Sequence, residues 1–256
     1  MYTKELLDRI KKSEQEFPRL FANCEKREWG LLFFNDYEKE SHDANHAIIY
    51  PERIPDLSEV LREITAFYRS REILPRIYFP FEEGYFEEQR AHLNEAGYGI
   101  NSYSPHDILC LPENVFVPGE SDLDIRIVTQ WDDSLGRDIF IPADEAYEIE
   151  IAKRSLEAGS FLVAGFWEER AVSLFQFHVS PYDCTRLDYI LTAPEYRGRG
   201  FARDIFRAGL NLCRERELPP CYTWCANGTS QRMCEEAGFV SRFNLPAGVA
   251  VYGSNK

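Results

Sequence analysis

The sequence predicts an α/β (α+β) protein built from two related halves, on three observations. Short apolar runs of strand length alternate with amphipathic helical stretches through most of the chain. A glycine-dense turn, Arg197-Gly198-Arg199-Gly200, leads from one such strand into a helix. Segments of the first half also recur, in the same order, in the second.

In chain order, the start is charged and helical in period, with no signal-peptide core. Strands are expected at 29–34, 46–49 and 76–79, with helices at 56–69 and 87–96. The stretch 112–121 mixes Pro, Gly and polar residues between apolar segments, and is the best internal boundary. It divides the chain into domains 1–117 and 118–256. Beyond it, 124–129 alternates like a half-buried strand. Helices follow at 132–140 and 145–158, the second closed by Gly159. Strands at 161–167 and 171–178 are joined by a short hairpin, and another strand covers 186–191. A helix over 201–216 carries Ala202, Ile205, Phe206, Gly209 and Cys213 on one stripe. A strand at 221–224, a helix at 230–237 and a strand pair around Phe239 and 249–252 complete the reading.

Composition narrows the function classes. The 256 residues include 18 Phe and 14 Tyr, enough aromatic surface to order a substantial core. A formal net charge of −14 argues against nucleic acid and mildly favours cationic substrates such as amines. No apolar run is long enough to span a bilayer, so no membrane partner is expected. Seven scattered cysteines fit reduced thiols and a cytoplasmic location. Cys221 and Cys225 lie four apart, but no nearby His or Cys pair completes a zinc set, so no metal is expected and buried strand thiols are the simpler reading.

The chemistry concentrates at Leu191-Thr192-Ala193-Pro194-Glu195-Tyr196-Arg197-Gly198-Arg199-Gly200-Phe201-Ala202. Glycines let backbone N–H groups converge on one spot, and a helix N-terminus adds positive potential, as a pyrophosphate requires. No Lys-Ser/Thr follows the glycines, so this is not a Walker loop, and the first glycine of a dinucleotide fingerprint is missing.

The segment resembles the acetyl-coenzyme A signature of the GNAT family, Arg/Gln-x-x-Gly-x-Gly/Ala, which Arg197, Gly200 and Ala202 meet in register. Its companions are the preceding Pro-Glu-Tyr, a three-strand lead-in, and the downstream Asn227, Ser230 and Gly238-Phe239; the likeness spans about 121–252. It implies two GNAT-like mixed sheets flanked by helices, the N-terminal one degenerate. It also implies acetyl transfer from acetyl-coenzyme A, as co-substrate, to a primary amine of a small molecule or peptide. The amine attacks directly in a ternary complex, without metal or covalent enzyme intermediate. Ile190, Leu191 and Thr192 would pair with the pantetheine amides as an added strand does. The pyrophosphate would rest on Arg197, Gly198, Arg199, Gly200, Phe201 and Ala202, with Asn227 facing the cofactor.

Asp188 stands where the family often keeps a carboxylate base, with an ion pair to Arg186 as its alternative. Glu195 reads as a surface acid, His178 as structural or exposed, and Ser230 as a helix cap. The family's usual tyrosine acid is replaced by Cys234, which is either the proton donor or a packed thiol, with Tyr222 or water as other donors. The acceptor would be lined by 141–145 and 180–183, and the chain would act as a monomer or homodimer. Two other functions stay open: a non-catalytic coenzyme A-binding or sensory module, and a tandem acyl or aminoacyl transferase with a larger donor.

The echo between the halves has three parts. Residues 71–79 parallel 216–224, with Pro75 aligned to Pro220; 94–98 parallel 235–239; and 48–52 parallel 191–195. The first half lacks glycine between Pro51 and Leu57 and has Pro55 there, so it is expected to hold no cofactor. A gap between its splayed strands would then have to be filled by protein.

Overall fold

The computed structural model describes residues 4–111 and 116–254. Residues 112–115 of the expected boundary, and the first three of the chain, lie outside them. The elements in order are α1 (Lys4–Glu16), β1 (Asn23–Arg27), β2 (Gly30–Phe34), β3 (His46–Ile49), α2 (Leu57–Arg69) and β4 (Arg76–Tyr78). Then come α3 (Tyr85–Glu88), α4 (Arg90–Glu95), β5 (Tyr98–Cys110), β6 (Asp124–Val128), α5 (Asp133–Leu135) and α6 (Ile149–Glu157). The remainder is β7 (Phe161–Trp167), β8 (Arg170–Ser180), β9 (Cys184–Thr192), α7 (Phe201–Glu215), β10 (Cys221–Trp224), α8 (Gly228–Glu236) and β11 (Val240–Tyr252).

Two compact units emerge, and neither is a single stretch of chain. One joins Met1–Glu14 to Asp107–Phe243; the other joins Gln15–His106 to Asn244–Lys256. They are named here for their main helices, α7 and α2. The C-terminal residues fall in the α2 unit because Val249, Ala250 and Val251 pair with Tyr78, Ile77 and Arg76.

In the α7 unit the strand order is β5-β10-β9-β8-β7-β6. Only β9 and β10 run parallel among these pairs; the rest are antiparallel. Strand residues alternate between two cores. Phe175, Phe177 and Leu187 meet Ile205, Phe206 and Leu210 of α7, while Leu162, Ala164 and Leu174 meet Leu135, Ile139 and Phe140. Gly209 makes the α7 contact possible: a Cβ there would stand 2.4 Å from Phe175 Cδ1. The helix expected at 132–140 is one α turn followed by a π turn over Gly136–Phe140.

In the α2 unit the order is β1-β2-β3-β4-β11, with β3 and β4 parallel. Val60, Leu61, Ile64 and Tyr68 of α2 pack with Ala47, Ile49, Ile77 and Ala250. The fully buried Tyr68 hydroxyl donates to Phe33 O at 2.8 Å, which satisfies its one polar group. The expected helix at 87–96 is two short helices, α3 and α4.

The α/β class therefore holds, with parallel and antiparallel pairs mixed. The expected arrangement of two tandem sheets is not shown.

Candidate active site

β9 loses its partner on one edge partway along. It pairs in parallel with β10 only at Thr185–Cys221 and Arg186–Tyr222. On its other edge it keeps β8 as far as Thr192–Ser173. The β8–β9 register slips between Gln176 and Phe177, which face Tyr189 and Leu187, leaving Asp188 as the extra residue of a bulge. Ile190, Leu191 and Thr192 thus lie beyond the end of the β10 pairing, with β10-side backbone outside that ladder.

After Thr192 the chain makes one turn at Pro194–Tyr196 and enters α7. Gly198 and Gly200 have φ of 79° and 88°, the left-handed region that glycine tolerates. Nothing lies within 4 Å of a Cβ built on either, so the space in front of the turn is open. Gly200 caps α7 without a side chain, so the first-turn amides have no side-chain acceptor. Arg197 Nε donates to Thr192 O at 3.1 Å and closes the turn, while Arg199 stands 5.3 Å over the Tyr196 ring. Phe201 is buried and tucks against Trp167, with ring centroids 5.6 Å apart; Ala202 is half-buried.

The α2 unit contains the turn that the echo aligns with this one, and it differs in two ways. A similar turn at Pro51–Arg53 follows β3, but α2 is capped by Asp56, whose Oδ1 accepts from Ser58 N at 2.9 Å and Glu59 N at 3.4 Å. β3 and β4 also pair at Ile48–Tyr78, whose aligned residues Leu191 and Thr223 do not pair with each other. The gap expected between splayed strands of the first half is closed by the ladder itself.

Asp188 forms an ion pair with Arg186, which also binds Glu14 at 2.7 Å. Burial opposes the Arg186 charge, but Glu14 and Asp188 outweigh it and raise its pKa. The Tyr222 hydroxyl lies 2.7 Å from Ser13 Oγ and 2.8 Å from Glu14 Oε1. Burial, then the Glu14 charge, pushes that phenol far above its ordinary value. His178 is pushed down to about 4 by burial and by Arg186, and its Nδ1 is buried without a partner.

Cys234 is 3% exposed, and its Sγ lies 3.7 Å from Cys225 Sγ. Its hydrogen bond to Cys225, followed by burial, raises the Cys234 thiol strongly. The same bond, helped by Ser230 against burial, lowers Cys225. Of the two thiols, Cys225 is the one whose pKa is lowered. Sequence reading singled out Cys234 but missed this partner, because the two stand nine positions apart, across a strand end and a helix turn.

Asn227, not Ser230, caps α8. Its Oδ1 accepts from Thr229 N and Ser230 N, both at 3.0 Å, and Ser230 Oγ donates back to Asn227 O at 2.9 Å. Tyr189 stacks on Phe140 at 5.9 Å with its hydroxyl buried and without a partner; burial, then Glu145 and Glu148, raises its pKa. Asp183, in the other stretch expected to line an acceptor, accepts from Arg9 at 2.6 Å. Among the described residues no group of three His, Cys, Asp or Glu is placed to hold a metal ion. No helix among them is long and apolar enough to cross a membrane.

Residues 127–239 match the family model described as the Acetyltransferase (GNAT) family. Among solved structures, the chain resembles a GCN5-related N-acetyltransferase from Kribbella flavida, with TM-score 0.68 at 13% identity, over 99% of this chain and 98% of that one. It also resembles a functionally unknown conserved protein from Staphylococcus epidermidis, with TM-score 0.60 at 12% identity, covering 91% and 95%. A tandem GNAT protein from the clavulanic acid biosynthesis pathway aligns with TM-score 0.56 at 10% identity, covering 82% and 76%. No curated protein matches. At these identities the solved structures speak for fold. Residues 127–239, the stretch that resembles the GNAT acetyltransferase family, include the β9–α7 turn.

Proposed function

We propose that the chain is an acetyl-coenzyme A-dependent N-acetyltransferase that acts on a primary amine of a small molecule or peptide. The observation that carries this reading is the end of β9–β10 pairing at Arg186–Tyr222, directly before an open, uncapped α7 N-terminus. A pantetheine arm can add to the free edge of β9 at Ile190, Leu191 and Thr192, as a strand would. The pyrophosphate then meets the amides of 198–202 and the helix N-terminus, with Arg197 and Arg199 adding positive charge. Both arginines are exposed, and neither forms an ion pair among the described residues.

In the reaction the amine lone pair forms a bond to the acetyl carbonyl carbon and the carbon–sulfur bond breaks. The departing thiolate takes a proton, and the acylated nitrogen loses one. Held together on one protein, the two reactants lose the entropic barrier of a bimolecular encounter. Asp188 is the candidate to receive the amine's proton, and it is held in an ion pair with Arg186. Cys234 remains a candidate donor only through the Cys225–Cys234 pair. Glu145 and Glu148, near enough to Tyr189 to raise its pKa, favour a cationic acceptor on that side. The α2 unit serves as a degenerate copy without coenzyme A, its helix amides already occupied by Asp56.

The test is release of free coenzyme A thiol over a panel of amines, amino acids, polyamines and peptide N-termini. Acceptor-dependent release lost in Gly200→Glu supports the enzyme. A second reading, a non-catalytic coenzyme A-binding module, is favoured by the buried thiol at 234 and the charge-paired Asp188. Tight binding without turnover across the panel would select it.

A further inference from the structure

The α2 unit contains a buried positive charge without a counter-ion. Arg76 opens β4, is only 6% exposed, and pairs through its backbone with Val251. Among the described residues its guanidinium has no ion pair, and Nη1 is buried without a hydrogen-bond partner. A guanidinium keeps its proton at neutral pH, so the charge itself is buried. A buried, unpaired charge is strongly destabilising unless an anion joins it. The residual exposure leaves part of the side chain reachable from solvent.

Its surroundings are built rather than loose. His46, on β3, is 2% exposed and stacks on Tyr78 with ring centroids 3.9 Å apart and planes within 7°. The Tyr78 hydroxyl donates to Asp43 Oδ1 at 2.9 Å, and His46 Nδ1 lies 3.2 Å from His42 O. The loop carrying His42 and Asp43 is anchored by the fully buried Asn45. Its Nδ2 donates to Glu38 O at 2.7 Å and Ser41 O at 2.9 Å, and its Oδ1 accepts from Asn35 N at 2.8 Å. Arg76 lies close enough to His42 and His46 to oppose their protonation. Burial pushes His46 down to about 4 and lowers His42 as well, so neither adds a second positive charge at neutral pH.

We propose that Arg76 anchors a binding site, in the α2 unit, for a small organic monoanion bearing one carboxylate, held by the guanidinium beside the His46–Tyr78 stack. The planar fork of the guanidinium matches a carboxylate through two parallel hydrogen bonds. One cation is neutralised by one negative charge. A phosphate dianion would bring excess negative charge close to Asp43, already committed to Tyr78. The stacked rings offer an apolar edge to the carbon skeleton of an organic acid. This site is independent of the acetyl-transfer reading, since it uses none of the residues of the β9–α7 turn.

The experiment is thermal unfolding of the full chain at pH 7.5, titrated with sodium propionate, sodium phosphate or sodium chloride at constant ionic strength. A ligand that binds only the folded state raises the melting temperature with ligand concentration according to its dissociation constant. Propionate is expected to give a saturable rise that chloride does not. Arg76→Lys, which keeps the charge and loses the fork, should weaken the apparent affinity at least tenfold, and Arg76→Met should abolish the response. Should Arg76→Met fail to fold, the Arg76→Lys titration decides. No saturable response to propionate, an unchanged response in Arg76→Lys, or a larger response to phosphate than to propionate overturns the proposal.

Discussion

Asp56 and Gly200 stand at the same point of two strand–turn–helix segments, each one residue before its helix, and they treat the helix amides in opposite ways. Asp56 places its own carboxylate on the amides of Ser58 and Glu59; Gly200 places nothing on those of α7. A carboxylate at a helix N-terminus satisfies the same donors and positive potential that a phosphate would. One half is internally neutralised, and the other has no side-chain cap on its helix amides.

Gly200→Glu should therefore abolish coenzyme A binding, through a side chain and a negative charge in the pyrophosphate's place and strain at a φ of 88°. Titration calorimetry of the parent should give one site per chain. Asp56→Ala should leave that site intact and cost about 1 kcal/mol of stability, the usual effect of losing a cap. A second coenzyme A site, or Gly200→Glu binding like the parent, would place the cofactor elsewhere.

The two sulfurs at 225 and 234 should differ in reactivity. Cys225 is half-buried and its pKa is lowered, whereas Cys234 is 3% exposed and its pKa is raised, and both differences favour reaction of Cys225 with alkylating agents. Limited treatment with iodoacetamide followed by peptide mapping should label Cys225 well before Cys234. Cys234→Ala should slow that labelling by removing the stabilising hydrogen bond. It should change acetyl transfer little if the thiol is only packed, whereas a loss on the order of a hundredfold in kcat with cofactor affinity kept would make Cys234 the acid.

The strand–helix order around 161–216 and the glycine turn before α7 could be read from sequence, because they depend on local period and on glycine. The bulge at Asp188, the stop in β9–β10 pairing and the Cys225–Cys234 contact could not, since each is set by register between strands or by residues meeting across a turn. β5 escaped for another reason. Its middle residues, from Ser102 to Ser104, are exposed and polar or amphipathic, so only the apolar end near Ile108 was visible. The pairing of 249–251 with β4 is a long-range choice that alternation alone does not specify.

Acid should destabilise the chain through His46. Its folded pKa, about 4, lies below the unfolded value near 6.5, so the unfolded state binds the proton first. The contribution is present above pH 6.5 and is lost progressively as pH falls toward 4. It should amount to a few kcal/mol at most. His46→Phe keeps the stack on Tyr78 and removes the titration. Denaturant unfolding between pH 7 and 4.5 should show a shallower decline in this variant; parallel profiles would mean that His46 protonates without cost.

A fragment starting at Ser121 should be far less stable than the whole chain, for reasons internal to the α7 unit. That unit includes residues 4–14 and 107–111, which the fragment lacks. Leu109 and Leu111, each 1% exposed, lie in the core beneath α7, and β5 pairs with β10 at Cys110–Tyr222 and Leu109–Thr223. Cutting them away uncovers apolar side chains and turns β10 into an open edge. Loss of α1 also removes Glu14 from the buried Arg186, and removes Ser13 and Glu14 from the Tyr222 hydroxyl. Breaking one side of a buried ion pair typically costs about 3–5 kcal/mol, a large fraction of the 5–15 kcal/mol available to a domain. Glu14→Ala in the full chain separates the two effects, since it removes the ion partner and keeps β5. It should lower the denaturation midpoint clearly, and the fragment should fall further or be insoluble. A fragment as stable and active as the whole chain would show that α1 and the end of β5 are dispensable to the α7 unit.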